Sequence, residues 1–340
     1  MKIAPESIYN GDINMRCKKC ILPECKPDIW LNEDGICNIC IDFEKKKALR
    51  QGNILLESEL TKVLNKYRGR GKYDCLVMCS GGKDSTFSLY CMKRRYKMNP
   101  LAFTFDHGFE NEEALENIRN AVDILGVDWI YFKSDFMKDI FSLAVKTKTK
   151  APLCHLCAIW YMQLTYDFAA RYKIPLIVAG WTKGQSKETG ETGREYSSMS
   201  KATADFVVNY LHRDPKYKGF PRTMEEAKKV AQKRFKSKAI SPHWYLQWDA
   251  DRIIQVLQKE LKWKAPRLSY PANSTNCLMN FVNVYLSMRH YGYTHYHIET
   301  SKLIRLGELS REEALNKLTI NFDDEMIETI LGKIGCKLEY

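Results

Sequence analysis

The sequence predicts an α/β fold, with a parallel, doubly wound sheet between an N-terminal cysteine module and a C-terminal helical segment. Three observations support this prediction. Short apolar runs alternate with helical stretches of about 10–15 residues, which is typical of βαβ units. The first apolar run ends in a glycine-rich turn that precedes a helix. Two Cys-x-x-Cys pairs precede the alternating part of the chain.

The N-terminal residues 1–50 are predicted to form a zinc-ribbon-like module. Cys17 and Cys20 form one pair, Cys37 and Cys40 form the other, and the spacing between the pairs is within that of four-cysteine zinc sites. Four thiolates in a tetrahedron suit Zn²⁺ and leave no coordination position open for a substrate. We therefore expect this site to be structural.

The alternating part of the chain is predicted to contain four strands joined by helices. The strands are expected at 73–79, 100–106, 128–133 and 174–180, and the helices at 60–67, 86–97, 112–125, 135–146 and 159–171. Strands joined in this way run parallel, with helices on both faces of the sheet. We expect this domain to span 51–270 with a basic insertion at about 205–240, and the helical region to span 271–340.

The turn after the first strand is the most informative segment of the chain. It lies between a strand and a helix, where backbone N–H groups and the positive helix end point at a bound anion. Glycines let the backbone approach phosphate oxygens closely, serines donate hydrogen bonds, and a carboxylate can hold a cation bridging those oxygens. The sequence therefore predicts a nucleotide-phosphate site at Ser80, Gly81, Gly82, Lys83, Asp84 and Ser85.

Other candidate ligand-binding positions lie at the carboxyl ends of the predicted strands, where ligands bind on such sheets. Asp106-His107-Gly108 follows the second strand, and Gly180-Trp181-Thr182 follows the fourth. His107 is as compatible with a capping role as with catalysis. Residues 182–200 have no hydrophobic periodicity, which fits either a lid over the site or a surface connection.

A second cysteine constellation combines Cys154 and Cys157, just before a predicted helix, with the distant Cys277. If the chain at 271–277 folds back to the sheet edge, three thiolates meet there. Three cysteines can hold a [4Fe–4S] cluster that leaves one iron open. A zinc site completed by His155 and a redox pair are the alternatives.

Composition indicates a globular protein with a polyanionic partner. The 340 residues include 45% hydrophobic and 28% charged residues, and no apolar run approaches the length of a membrane span. The chain has twelve cysteines and no secretion leader, and the six that lie in Cys-x-x-Cys pairs are expected to bind metals in a reducing cytoplasm. The net charge of +12 favours ATP, and then a nucleotide-linked substrate or RNA.

A basic segment with interleaved aromatic residues covers 211–240. It fits either binding to RNA or a nucleotide sugar, or a solvated helix face. Its ten basic residues are Arg213, Lys216, Lys218, Arg222, Lys228, Lys229, Lys233, Arg234, Lys236 and Lys238.

Several motifs together resemble the PP-loop ATP pyrophosphatases, and among them the N-acetyl sugar amidotransferases of surface-polysaccharide and flagellin-sugar biosynthesis. The matching segments are the two cysteine pairs with Ile21-Leu22-Pro23, the Ser80–Ser85 loop, Thr104-Phe105-Asp106-His107, Pro152-Leu153-Cys154-His155-Leu156-Cys157 and Ile304–Ala314. The order of loop, Cys-x-x-Cys and late single cysteine is also similar to that of PP-loop enzymes that thiolate tRNA. One departure concerns the segment after the fourth strand, where this chain has Gly180-Trp181-Thr182-Lys183 in place of Gly-Glu-Asn-Pro.

The resemblance implies an adenine-nucleotide alpha hydrolase-like fold and an enzyme that cuts ATP between its α- and β-phosphates. It implies that Phe105 and Asp106 bracket the adenosine and that Gly180 lies beside the nucleotide. Lys83 and Asp84 would be catalytic, the latter as a Mg²⁺ ligand. The ATP-dependent step would adenylate an amide oxygen for displacement by ammonia.

Three functions follow as hypotheses. The first is an amidotransferase acting on an N-acetyl sugar or nucleotide sugar. No N-terminal cysteine nucleophile is visible, so ammonia is expected from a partner glutaminase, and the sequence allows a homodimer. The second is an iron–sulfur sulfurtransferase that thiolates tRNA or a small molecule. The third is a non-catalytic protein that binds zinc and nucleotide.

Overall fold

A computed structural model describes residues 16–50, 56–185, 197–247, 249–273 and 277–338 of the chain. Its centre is a five-stranded sheet in which every described strand pair is parallel, in the order β3-β2-β1-β4-β5. The strands are β1 (Cys75–Met78), β2 (Pro100–Asp106), β3 (Asp128–Lys133), β4 (Leu176–Val178) and β5 (Lys238–Ile240). This confirms the predicted α/β class.

The described helices surround this sheet and form the C-terminal part of the chain. They are α1 (Asn38–Arg50), α2 (Glu57–Tyr67), α3 (Lys83–Tyr90), α4 (Glu112–Leu125), α5 (Phe136–Lys146), α6 (Leu153–Arg171), α7 (Ser197–Asn209), α8 (Met224–Arg234), α9 (Ala250–Leu261), α10 (Met279–Tyr291), α11 (His295–Arg305), α12 (Arg311–Leu318) and α13 (Asp324–Gly332). A π-helical turn, Cys91–Arg95, continues α3, and a 3₁₀ turn, Lys183–Gln185, follows β4.

Burial on both faces of the sheet follows from the two-residue period of a strand. In β1 all four residues are buried, and they alternate between two apolar clusters. Leu76 belongs to the cluster that contains residues of α5, α6 and the C-terminal helices, whereas Val77 belongs to the cluster that contains residues of α2, α4 and α9. The sheet therefore has helices on both faces, as the alternating sequence predicts.

Two helix starts and one strand differ from the sequence prediction, and each difference bears on the site. Helix α3 begins at Lys83 rather than at residue 86, and α6 begins at Leu153 rather than at residue 159. Cys154 and Cys157 therefore lie within α6, not before it. The segment interpreted as a basic insertion ends in a strand missing from the prediction, β5, which pairs with β4.

The cysteine module packs on helices from later in the chain. Its cysteines share an apolar cluster with Met199 of α7 and Ile298 of α11. Arg311 Nε donates to the carbonyl of Cys20 at 2.9 Å. The module is therefore fixed to the C-terminal helical region. Within the described ranges, no helix combines the length and apolar character needed to cross a bilayer.

Candidate functional site

The glycine-rich turn forms the N-terminus of α3. Gly82 is the N-cap residue, and it has no side chain that could accept hydrogen bonds from the first-turn N–H groups. Gly81 has φ of +78°, a left-handed conformation that favours glycine. A Cβ atom on Gly81 would lie 2.2 Å from the carbonyl oxygen of Ala114 in α4. The turn therefore needs glycine here, and it leaves a helix N-terminus open to an anion.

Two side chains from distant positions hold the backbone of this turn. Trp263 Nε1 donates to the carbonyl of Gly81 at 2.9 Å, and Asn117 Nδ2 donates to the same oxygen at 3.3 Å. Asn117 in turn accepts a hydrogen bond from the N–H of Lys264 at 2.8 Å. The sequence prediction missed these residues, because neither lies near the turn in the chain.

The serines brace the turn from within. The N–H of Ser80 donates to Ser85 Oγ at 3.2 Å, and the two hydroxyl oxygens are 3.1 Å apart. The hydroxyl of Ser85 is also within hydrogen-bond distance of the Gly82 carbonyl, at 3.2 Å. Both serines thus have internal partners and also line the adjacent cavity.

Lys83 and Asp84 form an ion pair in the first turn of α3. Lys83 Nζ lies 2.8 Å from Asp84 Oδ2, and the two side chains are 7% and 19% exposed. Both residues therefore lie within the helix rather than in the turn before it, and their side chains are mostly buried. His243 Nε2 is 2.9 Å from the carbonyl of Asp84, and burial lowers the pKa of His243. A neutral His243 ring can donate from Nε2 to that carbonyl.

A cavity of about 230 Å³ opens beside the turn. Gly180 lines it at the end of β4, and a Cβ atom on Gly180 would lie 2.5 Å from the backbone nitrogen of Ser85. The close packing of β4 against α3 therefore requires glycine at this position. Other lining residues are Ser80, Gly82, Lys83, Asp84, Ser85, Tyr161, Met162 and Trp181. The structure thus places five of the six loop residues and Gly180 around one cavity, and their binding of a nucleotide stays a prediction.

Phe105 and Asp106 do not line this cavity. Phe105 is 3% exposed and packs against Tyr161 and Phe132. The carboxylate of Asp106 accepts hydrogen bonds from the N–H of Gly108, at 2.6 Å, and from the hydroxyl of Tyr131. Their contact with a nucleotide stays a prediction, and their described partners are protein groups.

The C-terminal helical region reaches the rim of the cavity through Glu299 of α11. Its carboxylate accepts from Thr182 Oγ1 at 2.7 Å and from Gln185 Nε2 at 3.2 Å, and Gln185 lines the cavity. A Cβ atom on Gly184 would lie 2.5 Å from Glu299 Cγ. Burial raises the pKa of Glu299. This side chain, missed by the sequence prediction, fixes the segment that follows β4.

The four cysteines of the module converge as predicted. Cys17 Sγ lies 3.9 Å from Cys40 Sγ, Cys20 Sγ lies 3.7 Å from Cys37 Sγ, and all four sulfur atoms are within 4.8 Å of one another. The neighbouring thiol of Cys20 holds the pKa of Cys17 well below its ordinary range. The donor set and spacing fit one tetrahedral Zn²⁺.

The second cysteine constellation assembles only in part as predicted. Cys277 pairs with Glu110 in an isolated antiparallel bridge, and the N–H of Leu278 donates to the carbonyl of Phe109 at 2.8 Å. The late cysteine therefore returns to the sheet edge after β2. Its burial raises its pKa well above the ordinary range, and Cys154 and Cys157 lie close enough to raise it further.

Among the described side chains, those of His107 and Glu110 form a group of possible metal ligands with the Cys277 thiol. Their ligand atoms lie within 4.8 Å of one another, whereas His155 does not belong to this group. Burial raises the pKa of Glu110 to about 8 and lowers that of His107 to about 4. Glu110 was missing from the sequence prediction, although its place three residues after His107 is a usable signal.

The basic segment is folded against the sheet domain, and several of its charges have acidic partners. Lys216 pairs with Asp139 at 2.5 Å, and Arg234 pairs with Asp167 at 3.2 Å. Binding of RNA by this segment stays a prediction. The central part of the predicted lid, 186–196, lies outside the described residues.

Comparisons with known families match two parts of the chain. Residues 74–155 match the model of the queuosine biosynthesis protein QueC, which covers β1, the glycine-rich turn and the start of α6. Residues 275–340 match the C-terminal domain of LPS biosynthesis protein WbpG-like proteins.

Individual relatives match over most of the chain. The uncharacterized protein MJ1599 of Methanocaldococcus jannaschii is 25% identical over 314 residues, which cover 89% of this chain and 93% of that protein. Among solved structures, the U34-tRNA thiolase NcsA of Methanococcus maripaludis, with its [4Fe–4S] cluster, is 20% identical with a TM-score of 0.38, covering 91% of this chain and 90% of its own. The NH₃-dependent NAD synthetase of Campylobacter jejuni is 15% identical with a TM-score of 0.37, covering 82% and 91%.

Proposed function

From the resemblance of this chain to the PP-loop ATP pyrophosphatases, we propose that it is an ATP-dependent amidotransferase. Its acceptor is an N-acetyl sugar or nucleotide sugar, whose amide oxygen it adenylates. Ammonia from a partner glutaminase then displaces AMP and leaves an acetamidino group.

The observation that carries this proposal is the contact between the C-terminal region and the cavity rim. The region matching the WbpG-like domain includes Glu299, which holds Thr182 and Gln185 beside the cavity. Gln185 lines the cavity after β4, and we infer that this segment contacts the acceptor. The part of the chain related to a lipopolysaccharide biosynthesis protein therefore supports the acceptor side of the site.

The amide carbon of the acceptor is a poor electrophile, so the amide oxygen must first be converted into a leaving group. The acceptor's amide oxygen attacks the α-phosphorus of ATP, an O–P bond forms, and the bond to pyrophosphate breaks. Ammonia then attacks the activated carbon, the C–O bond breaks, AMP leaves, and a proton passes to solvent. No oxidant or reductant is needed.

The residues of the turn position and stabilise the phosphates. The N–H groups at the start of α3 and the hydroxyls of Ser80 and Ser85 bind pyrophosphate oxygens. Lys83 stabilises the charge that develops on the departing pyrophosphate. The Asp84 carboxylate would hold Mg²⁺, which would offset the negative charge of the phosphates.

A sulfurtransferase that thiolates tRNA or a small molecule is the second candidate. The specific observation that favours it is the return of Cys277 to the sheet edge, within electrostatic reach of Cys154 and Cys157. Three cysteines can hold a [4Fe–4S] cluster that leaves one iron open.

An acceptor comparison tests the proposal. The purified chain is given ATP, Mg²⁺ and ammonium chloride with N-acetyl sugars and nucleotide sugars in one series, and with tRNA and sulfide in another. The amidotransferase proposal predicts AMP formation that depends on a sugar, and a product in which NH replaces the amide oxygen by mass spectrometry. AMP formation that depends only on tRNA would overturn it and support the second candidate.

A further inference from the structure

We propose that His107, Glu110 and Cys277 bind one zinc-like divalent ion, in a site separate from the four-cysteine module. The three donors are an imidazole nitrogen, a carboxylate oxygen and a thiolate. This inference concerns the metal content of the chain and does not rest on the proposed acceptor.

The backbone fixes the three donors relative to one another. His107 and Glu110 follow β2 directly, and Cys277 is paired with Glu110 by the antiparallel bridge. The hydrogen bond from the N–H of Leu278 to the carbonyl of Phe109 extends this pairing by one residue. Two segments that are distant in the chain therefore supply a constellation held by main-chain contacts.

The distances agree with those of a tetrahedral zinc site. With Zn–N and Zn–O bonds of about 2.1 Å and a Zn–S bond of about 2.3 Å, ligand nitrogen and oxygen should be about 3.4 Å apart and sulfur and nitrogen about 3.6 Å. His107 Nε2 lies 3.4 Å from Glu110 Oε1 and 3.7 Å from Cys277 Sγ. A single ion fits between these atoms.

The four-cysteine module serves as an internal comparison for this geometry. A tetrahedral site of four Zn–S bonds should separate its sulfur atoms by about 3.8 Å. The distances of 3.9 Å and 3.7 Å in the module agree with this value. The two distances from His107 Nε2 in the second constellation agree with their expected values equally closely.

These donors are buried, and a bound ion would compensate the charge of the buried carboxylate. The side chains of His107 and Glu110 are 4% and 10% exposed. A carboxylate removed from water needs an opposite charge or hydrogen-bond donors, and a divalent ion supplies the charge. The rings of Phe105, Phe109 and Phe141, at 5.6–5.9 Å between centroids, hold the orientation of the His107 ring.

The mixed donor set distinguishes this site from an iron–sulfur cluster. Nitrogen, oxygen and sulfur donors together suit Zn²⁺, whereas the cluster expected from the sequence takes thiolates from Cys154 and Cys157 as well. In the proposed site those two thiols are not ligands. With three protein donors, the fourth coordination position is open to water or another ligand.

Metal analysis of the full chain with matched variants tests the inference. The parental protein is expected to contain about two zinc ions per chain, one in the four-cysteine site and one in the proposed site. Glu110→Gln, which is isosteric, and Cys277→Ser should each reduce this to about one, with the four-cysteine site retained. Cys154→Ser is the control and should keep both ions. Near-ultraviolet circular dichroism checks that each variant is folded.

A measurement on the unmodified protein covers the case in which a variant does not fold. Zinc-edge X-ray absorption should show nitrogen and oxygen neighbours beside the sulfur shell, because the four-cysteine site alone contributes only sulfur. A sulfur-only shell would overturn the inference. So would an iron-containing, brown protein whose iron is lost in Cys154→Ser but retained in Glu110→Gln, since that pattern identifies a cysteine-ligated cluster.

Discussion

Lys83 Nζ lies 2.8 Å from Asp84 Oδ2, within the first turn of the helix that borders the cavity. Both side chains are mostly buried, and each charge offsets part of the other. Binding of ATP and Mg²⁺ would offer Lys83 a phosphate and Asp84 a cation. The pair is therefore both a structural contact and, in the proposed function, the centre of the chemistry.

Lys83→Met and Asp84→Asn should each abolish formation of AMP and pyrophosphate. The single variants also lose stability, by up to about 3 kcal/mol, because removing one member leaves the other charge buried without its partner. The double variant Lys83→Met/Asp84→Asn should regain much of the unfolding free energy without regaining activity. Urea unfolding and an AMP assay measure the two effects. A single variant that turns over at the parental rate would contradict the assigned roles.

Cys37→Ser in the full chain should remove the zinc of the module and lower the unfolding free energy more than it lowers turnover. The site has no open position for a substrate, and its cluster packs against α7 and α11, so its loss weakens those contacts. Zinc content, melting temperature and turnover well below melting are measured together. A variant with parental stability and greatly reduced turnover would point to a catalytic site instead.

Trp263→Phe should reduce AMP formation by about tenfold, equivalent to about 1.4 kcal/mol, through misplacement of the turn. The change removes the hydrogen bond to the Gly81 carbonyl and leaves Asn117 as its described side-chain partner. Trp160→Phe is the matched control, because the indole nitrogen of Trp160 has no hydrogen-bond partner within the described ranges. Equal loss of activity in both variants would assign the effect to packing.

Glu299→Gln should be more stable than the parental protein, by a margin that grows as pH rises. Burial raises the pKa of Glu299 above its ordinary value of 4.5. The contribution of Glu299 to the unfolding free energy is therefore fully present below pH 4.5 and is lost as pH rises through the folded-state pKa. Glutamine stays neutral and avoids this loss, up to about 1.4 kcal/mol for each unit of pKa shift. Urea unfolding of both proteins at pH 5 and pH 8 measures the difference. A difference in unfolding free energy that is the same at the two pH values would show that folding does not raise the pKa of Glu299.

The parts of this structure that the sequence predicts are those with local signals. Apolar runs and the glycine-rich turn identify β1 to β4 and the start of α3 to within a few residues, and cysteine spacing identifies the module. The short strand β5 was missed because its three residues follow a strongly basic helix. Trp263 and Glu299 were also missed, since only the tertiary fold brings them to the site.

Activation of an amide oxygen by ATP can be followed with an acceptor that carries oxygen-18 in its acetamido group. The protein is incubated with this acceptor, ATP, Mg²⁺ and ammonium, and the nucleotide products are analysed by mass spectrometry. Adenylation of the amide oxygen should give pyrophosphate and AMP in equal amounts, with the heavy oxygen in the AMP phosphate. Formation of ADP, or of AMP without the label while an amidino product accumulates, would contradict it.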